Sequence, residues 1–162
     1  MKPSEVVRTL IAFAMLVVLH FTVRPLLAWR ASPDFLVIAL LLVAIRVRPG
    51  SAAVVGFFVG LVTDSLSLHA FGAGALSMSV VAFVASWLKA VFFADDLSLN
   101  AFFFFLGKWA FDLLYLVVAR QPSSDSVLMQ MLVWFPLSAA VTALAGVATL
   151  LVLRPMLRRA PA

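Results

Sequence analysis

The stretch Ser51-Ala52-Ala53-Val54-Val55-Gly56-Phe57-Phe58-Val59-Gly60-Leu61-Val62-Thr63-Asp64-Ser65-Leu66-Ser67-Leu68 carries a single ionisable side chain, Asp64. Wound as an α-helix it is about 27 Å long, against about 30 Å for the hydrocarbon core of a bilayer. Gly56, Gly60 and Asp64 recur every fourth residue and so share one helix face. Such a segment belongs either in lipid or deep inside a large core, and the rest of the chain decides between the two. Of its 162 residues 65% are apolar and 12% charged, and the mean hydropathy is +1.15. Soluble domains hold about 45–50% apolar and about 25% charged residues, and small domains leave much of their surface facing solvent. For most of this surface the solvent must therefore be lipid.

Outward from that stretch, further apolar runs lie at 9–29, 34–47, 75–93, 99–119 and 127–153. With 51–68 they predict an all-α membrane protein, a compact bundle of six transmembrane helices forming one integral membrane domain over 1–162. The connections are too short for a soluble domain, and the absence of cysteine excludes disulfides and thiolate metal sites. A basic start (Lys2, Arg8) before an apolar stretch also fits a signal peptide, but further spans follow and no small-x-small cleavage site stands out. Arg24-Pro25 interrupts the first span near its far end, and Pro136 predicts a kink near the start of the last. Ser32, Pro33 and Asp34 read as a helix start: a capping hydroxyl, a proline at the first helical position and an acid in the first turn. The helix that follows is short, about 22 Å over 33–47. It is tilted, shielded by its neighbours or set where the membrane is thin.

Basic residues near the ends of spans set orientation. With the N-terminus inside, Lys2, Arg8, Arg46, Arg48, Lys89, Arg154, Arg158 and Arg159 are cytoplasmic, against Arg24, Arg30 and Arg120 outside, while Lys108 lies within the fifth span. Both termini are expected in the cytoplasm and the Arg120–Ser126 loop outside. The net charge of +5 is scattered singly, without the basic stripe that nucleic acid requires.

Catalytic and cofactor motifs are missing: there is no H-E-x-x-H, Walker loop or G-x-S-x-G, and His20 and His69 have no helical partners for a metal. Gly72-x-Gly74 lacks the strand and third glycine of a dinucleotide site. No enzyme activity and no cofactor are expected. Gly56-x-x-x-Gly60 instead lets another backbone approach closely, either within the bundle or from a partner helix. Charges inside spans are the other signal, since each costs about 2.5–3.5 kcal/mol at the membrane centre. Asp64 and Asp112 both lie about 20 Å along their helices from the inner boundary. Lys108 is one turn from Asp112, and His20 reaches a comparable layer. Asp64, Lys108 and Asp112 are expected to form a buried cluster, either as an ion-pair lock between the third and fifth helices or as a ligand, proton or partner site.

The order of these features is familiar: Ser32-Pro33-Asp34-Phe35-Leu36, then Gly56 to Asp64, a glycine turn at Gly72, a small-residue helix, Asp112 followed by Leu113 and Leu114, and a basic tail. It resembles the MreD family of small multispanning rod shape-determining proteins of bacteria. The family's motif positions fall on Pro33, Gly56, Gly60, Asp64, Gly72 and Asp112, and Pro33, Gly56, Gly60 and Gly72 are the positions expected to pack helices or bind a partner. Ser65-Leu66-Ser67-Leu68-His69 departs from the family, which often has a glycine soon after the aspartate. The resemblance implies a non-enzymatic scaffold of the cell-elongation machinery in the inner membrane, helping to organise lateral peptidoglycan synthesis. It binds MreC, a single-span protein with a large periplasmic domain, and through it RodA, its partner transpeptidase and MreB; a homodimer is left open. It also implies the fold of the S-component of energy-coupling-factor transporters. That likeness supplies the alternative function, a vitamin-binding transporter subunit, for which the outer loops offer only Trp29, Arg30, His69 and Arg120.

Overall fold

The computed structural model describes residues 3–27, 32–65, 70–92, 96–119 and 126–157. Among these it forms α1 (Pro3–Leu27), α2 (Phe35–Ala44), α3 (Pro49–Ser65), α4 (Ala73–Phe92), α5 (Leu97–Val118), α6 (Ser126–Met129), a π-helical turn (Gln130–Trp134) and α7 (Phe135–Leu157), and no strand. Leu97–Val118 and Gln130–Val152 are long and apolar enough to cross a membrane, whereas Thr9–Thr22, Phe35–Ala44, Pro49–Ser65 and Ala73–Lys89 are shorter apolar helices. The ends of the apolar runs at 28–29, 66–68 and 93, the outer residues Trp29, Arg30, His69 and Arg120, and the basic residues Lys2, Arg158 and Arg159 lie outside the described residues.

The shortest long-range element sits in the middle. Helix α2 is apolar all round, so no face prefers a polar solvent, and Phe35 to Leu42 and Ala44 are all buried. It packs against α1, α3, α4, α5 and α7, which shield it on every side. Its start differs from the reading that made Ser32 the cap and Pro33 the first helical residue. Asp34 itself is the N-cap, with Oδ1 accepting from the Val37 N–H at 3.3 Å. Aspartate caps as well as serine, and a tertiary bond from the Asp34 N–H to Thr142 Oγ1 on α7, 3.1 Å, holds the chain out of the helix at this residue. At the other end the Val47 carbonyl accepts from both Ser86 Oγ and Lys89 Nζ of α4 at 2.8 Å.

Two prolines behave differently from expectation. Helix α1 continues through Arg24-Pro25 to Leu27. Pro25 stands in the last turn, where its missing N–H removes only one hydrogen bond. Before Pro136 the helix widens: the Phe135 N–H bonds to the Gln130 carbonyl, five residues back. A proline crowds the carbonyl four residues earlier, and one π turn absorbs the extra residue that relieves the crowding.

The most extensive helix pair is α3 with α4. Ala52, Gly56, Gly60 and Asp64 form the buried stripe of α3. A Cβ on Gly56 would strike the Met78 carbonyl, and one on Gly60 the backbone of Ala75 and Gly74. The two backbones therefore touch, and Ser79 Oγ ties them further by donating to the Ala53 carbonyl at 3.0 Å. Elsewhere glycines admit side chains: Gly107 receives Leu41 and Gly146 receives the ring of Phe104. Of the four consecutive phenylalanines at 102–105, Phe103 and Phe104 are buried and Phe102 is exposed.

Candidate functional site

One end of the bundle collects the polar groups. There α1 and α3 approach their C-terminal ends, α2 and α4 begin, α5 enters its second half and the π turn leads into α7. Between them lies a cavity of about 320 Å³ whose lining includes His20, Asp34, Thr63, Asp64, Lys108, Asp112, Tyr115 and Gln130, with Phe111 and Phe135 among its apolar walls.

Lys108 is the hub. Its Nζ donates to Asp112 Oδ1 at 2.6 Å, one helical turn away, and to Asp34 Oδ2 at 3.2 Å on α2. It also stands 5.0 Å from the centroid of the Phe111 ring, within reach of a cation–π attraction. His20 Nδ1 lies 3.5 Å from Asp34 Oδ1. Asp34 therefore joins three elements, since the same carboxylate caps α2, meets α5 and faces α1. A helix N-terminus carries partial positive charge, so the cap is also electrostatic support.

Asp64 departs from the expected cluster. It lines the same cavity, but its carboxylate is turned to the start of α4: Oδ2 accepts from the N–H groups of Gly72 and Ala75 at 2.9 Å, and Oδ1 from Gly74 at 3.1 Å. The chain reverses between the two helices, and Gly72 (φ +95°) makes that reversal in a region that favours glycine. Among the described residues Lys108 pairs with Asp112 within α5 and with Asp34 on α2, and the second pair joins two helices. Lys108 thus ties α2 to α5 through Asp34, while Asp64 lines the same cavity from α3. The physical reason for the orientation of Asp64 is that three backbone donors converge on it as a consequence of the turn.

The family model for rod shape-determining protein MreD matches residues 4–157. The chain belongs to the MreD family. No curated protein and no solved structure matches it. MreD proteins are membrane proteins that serve rod-shape determination.

Within this MreD chain the motif positions fall into two groups. Gly56, Gly60, Asp64 and Gly72 build the α3–α4 seam, and Asp112 belongs to the Lys108 hub. Pro33 precedes the Asp34 cap. Of the two expectations for the Gly56/Gly60 face, packing within the bundle is what α4 of the same chain provides, and a partner helix seated there would have to displace it. Asp34, Thr142, Tyr115 and Gln130 were missed as site residues. The signal for Asp34 was present, a carboxylate at the mouth of an apolar run, but its partners are 74 and 108 residues away in sequence. Among the described residues no group of three or more metal-ligating side chains is assembled.

Proposed function

We propose that this chain is a non-enzymatic membrane adaptor of the cell-elongation machinery, crossing the inner membrane six times with both termini in the cytoplasm. Its principal ligand is the transmembrane helix of MreC, through which it serves lateral peptidoglycan synthesis. The observation that carries this reading is the family match over 4–157. The basic bias supports the orientation, eight residues against three. Lipid already satisfies apolar side chains, so a partner helix is selected by close packing in a concave strip. With the glycine seam occupied, such a strip is offered between α4 and α5. There Val80, Val84, Leu88, Leu106, Gly107 and Trp109 border an apolar groove of about 300 Å³.

Since the chain has no cysteine, single introduced thiols test both parts. Val84→Cys and Trp109→Cys should crosslink to a cysteine in the MreC helix, while Val18→Cys and Leu144→Cys on other exposed faces should not. Crosslinks from the latter pair alone would move the interface, and failure to recover MreC with the unmodified chain would end the adaptor reading. Thiols at Ser124 and Ala160 should be labelled by an impermeant reagent from opposite sides. Labelling from one side would exclude the six-span arrangement.

A further inference from the structure

The adaptor reading makes no use of the polar cavity, and its lining has a chemistry of its own. A volume of about 320 Å³ is at the lower end of the range of small-molecule sites, about 300–1,000 Å³, and is much larger than a bare ion needs. Carboxylates outnumber ammonium groups three to one in the described lining, so an anionic ligand is disfavoured there. Three aromatic rings, Phe111, Tyr115 and Phe135, stand in the same walls. Carboxylate oxygens beside aromatic faces are the combination that holds an ammonium group, by charge-assisted hydrogen bonds and by attraction to the ring face. The protein displays this recognition once already: the Lys108 ammonium is held between Asp34 and Asp112 and over the Phe111 ring.

A second observation concerns access. The segment formed by α6 and the π turn packs mainly against its own sequence neighbours. Met129, Leu132 and Val133 on it are exposed, yet it delivers Gln130 to the cavity. π turns recur at functional sites because the widened turn re-aims side chains. We propose that this cavity binds a small organic molecule through a primary ammonium group, with Asp34 and Asp112 as its acceptors, Phe111 and Tyr115 as its walls and Gln130 at its rim. The proposal stands independently of MreC binding.

The test is thermal unfolding of the purified full-length chain in detergent, titrated with ethanolamine hydrochloride. Sodium glycolate serves as an anion of similar size, and potassium chloride as the ionic-strength control. Ethanolamine should raise the unfolding midpoint in a saturable way, since a ligand that binds only the folded state stabilises it by mass action. Glycolate and potassium chloride should not. Gln130→Ala and Tyr115→Phe each delete polar contacts at the rim and wall without touching the Lys108 ion pairs. Each should raise the half-saturating concentration by about fivefold to tenfold, the usual consequence of one lost hydrogen bond between uncharged groups. Leu106→Ala in the α4–α5 groove should leave it unchanged. A non-saturating response, a response equal to that of potassium chloride, or rim and wall variants that bind ethanolamine as well as the parent would each overturn the proposal.

Discussion

Asp34 at the start of α2 and Asp64 at the end of α3 are both buried carboxylates that accept from the N–H groups of a helix start, and the rest of their partners differ. Asp64 is met by backbone: three N–H groups at the start of α4 converge on it, and the glycines around it let two main chains touch. Asp34 is met by the Lys108 ammonium and by one backbone donor from Val37, with the His20 ring 3.5 Å away. A backbone shell is local, since it is built from residues eight to eleven positions onward and forms whenever the turn forms. A side-chain shell is assembled from distant helices and carries formal charge on both sides, so it fails more severely when one member is removed. The seam therefore forms with the turn itself, and the hub is the part whose integrity depends on every partner being present.

The largest effect expected from that contrast is at Lys108. Lys108→Leu leaves Asp34 and Asp112 facing each other across a buried site and should destabilise the chain by about 3–5 kcal/mol. Lys108→Leu with Asp112→Leu should be milder than the sum of the two single variants, as thermal or denaturant unfolding in detergent would show; additivity would mean the pair is not coupled. Next is Gly60→Ala, whose methyl group meets the main chain of Ala75 and cannot be relieved by a rotamer change. It should cost about 2–3 kcal/mol, read as a lowered unfolding midpoint, because overpacking against backbone forces the helices apart. An unchanged midpoint would mean the seam is looser than its geometry shows. Asp64→Asn keeps the shape but sets an amide donor against backbone donors, and should cost about 1.5 kcal/mol in the same measurement.

The smallest effects separate strain from space. A Cβ on Gly72 meets nothing within 4 Å, so Gly72→Ala tests the left-handed backbone alone and should cost about 1 kcal/mol. Gly50 is equally open and has no such backbone, so Gly50→Ala should stay within about 0.5 kcal/mol of the parent. If Gly50→Ala proves as damaging as Gly72→Ala, backbone strain is not what the turn glycine relieves.

Legibility in the sequence followed the same division. The Gly56/Gly60/Asp64 stripe and the Lys108–Asp112 spacing are properties of single helices, and helical periodicity alone brings their members to one face. The apolar runs overlap α1 through α5 and the last helical rod, because a helix with lipid on one side and its neighbours on the other is apolar on both. What the sequence did not show depends on pairings between elements. Asp34 becomes a hub only because α5 supplies Lys108 and α7 supplies Thr142, and Asp64 turns away from Lys108 only because the chain doubles back through Gly72. The π turn was hidden for a further reason: Pro136 signals that a regular helix is disturbed, but kinking and widening are two solutions to one steric problem.

The enclosure of α2 bears on how the chain is made. Residues 35–44 leave the ribosome before four of the five helices that cover them, and the last of those, α7, follows about ninety residues later. At first this ten-residue apolar helix, about 15 Å long, has only α1 for company, and α3, α4 and α5 join it before α7 does. It must wait until the C-terminal helix arrives and Thr142 can accept from the Asp34 main chain. A chain truncated after α5 would lack that final wall and leave α2 open on one side. Assembly of this molecule is therefore completed from its C-terminal end, and a ribosome stalled late in synthesis would present quality-control proteases with an apolar helix that the finished protein never shows.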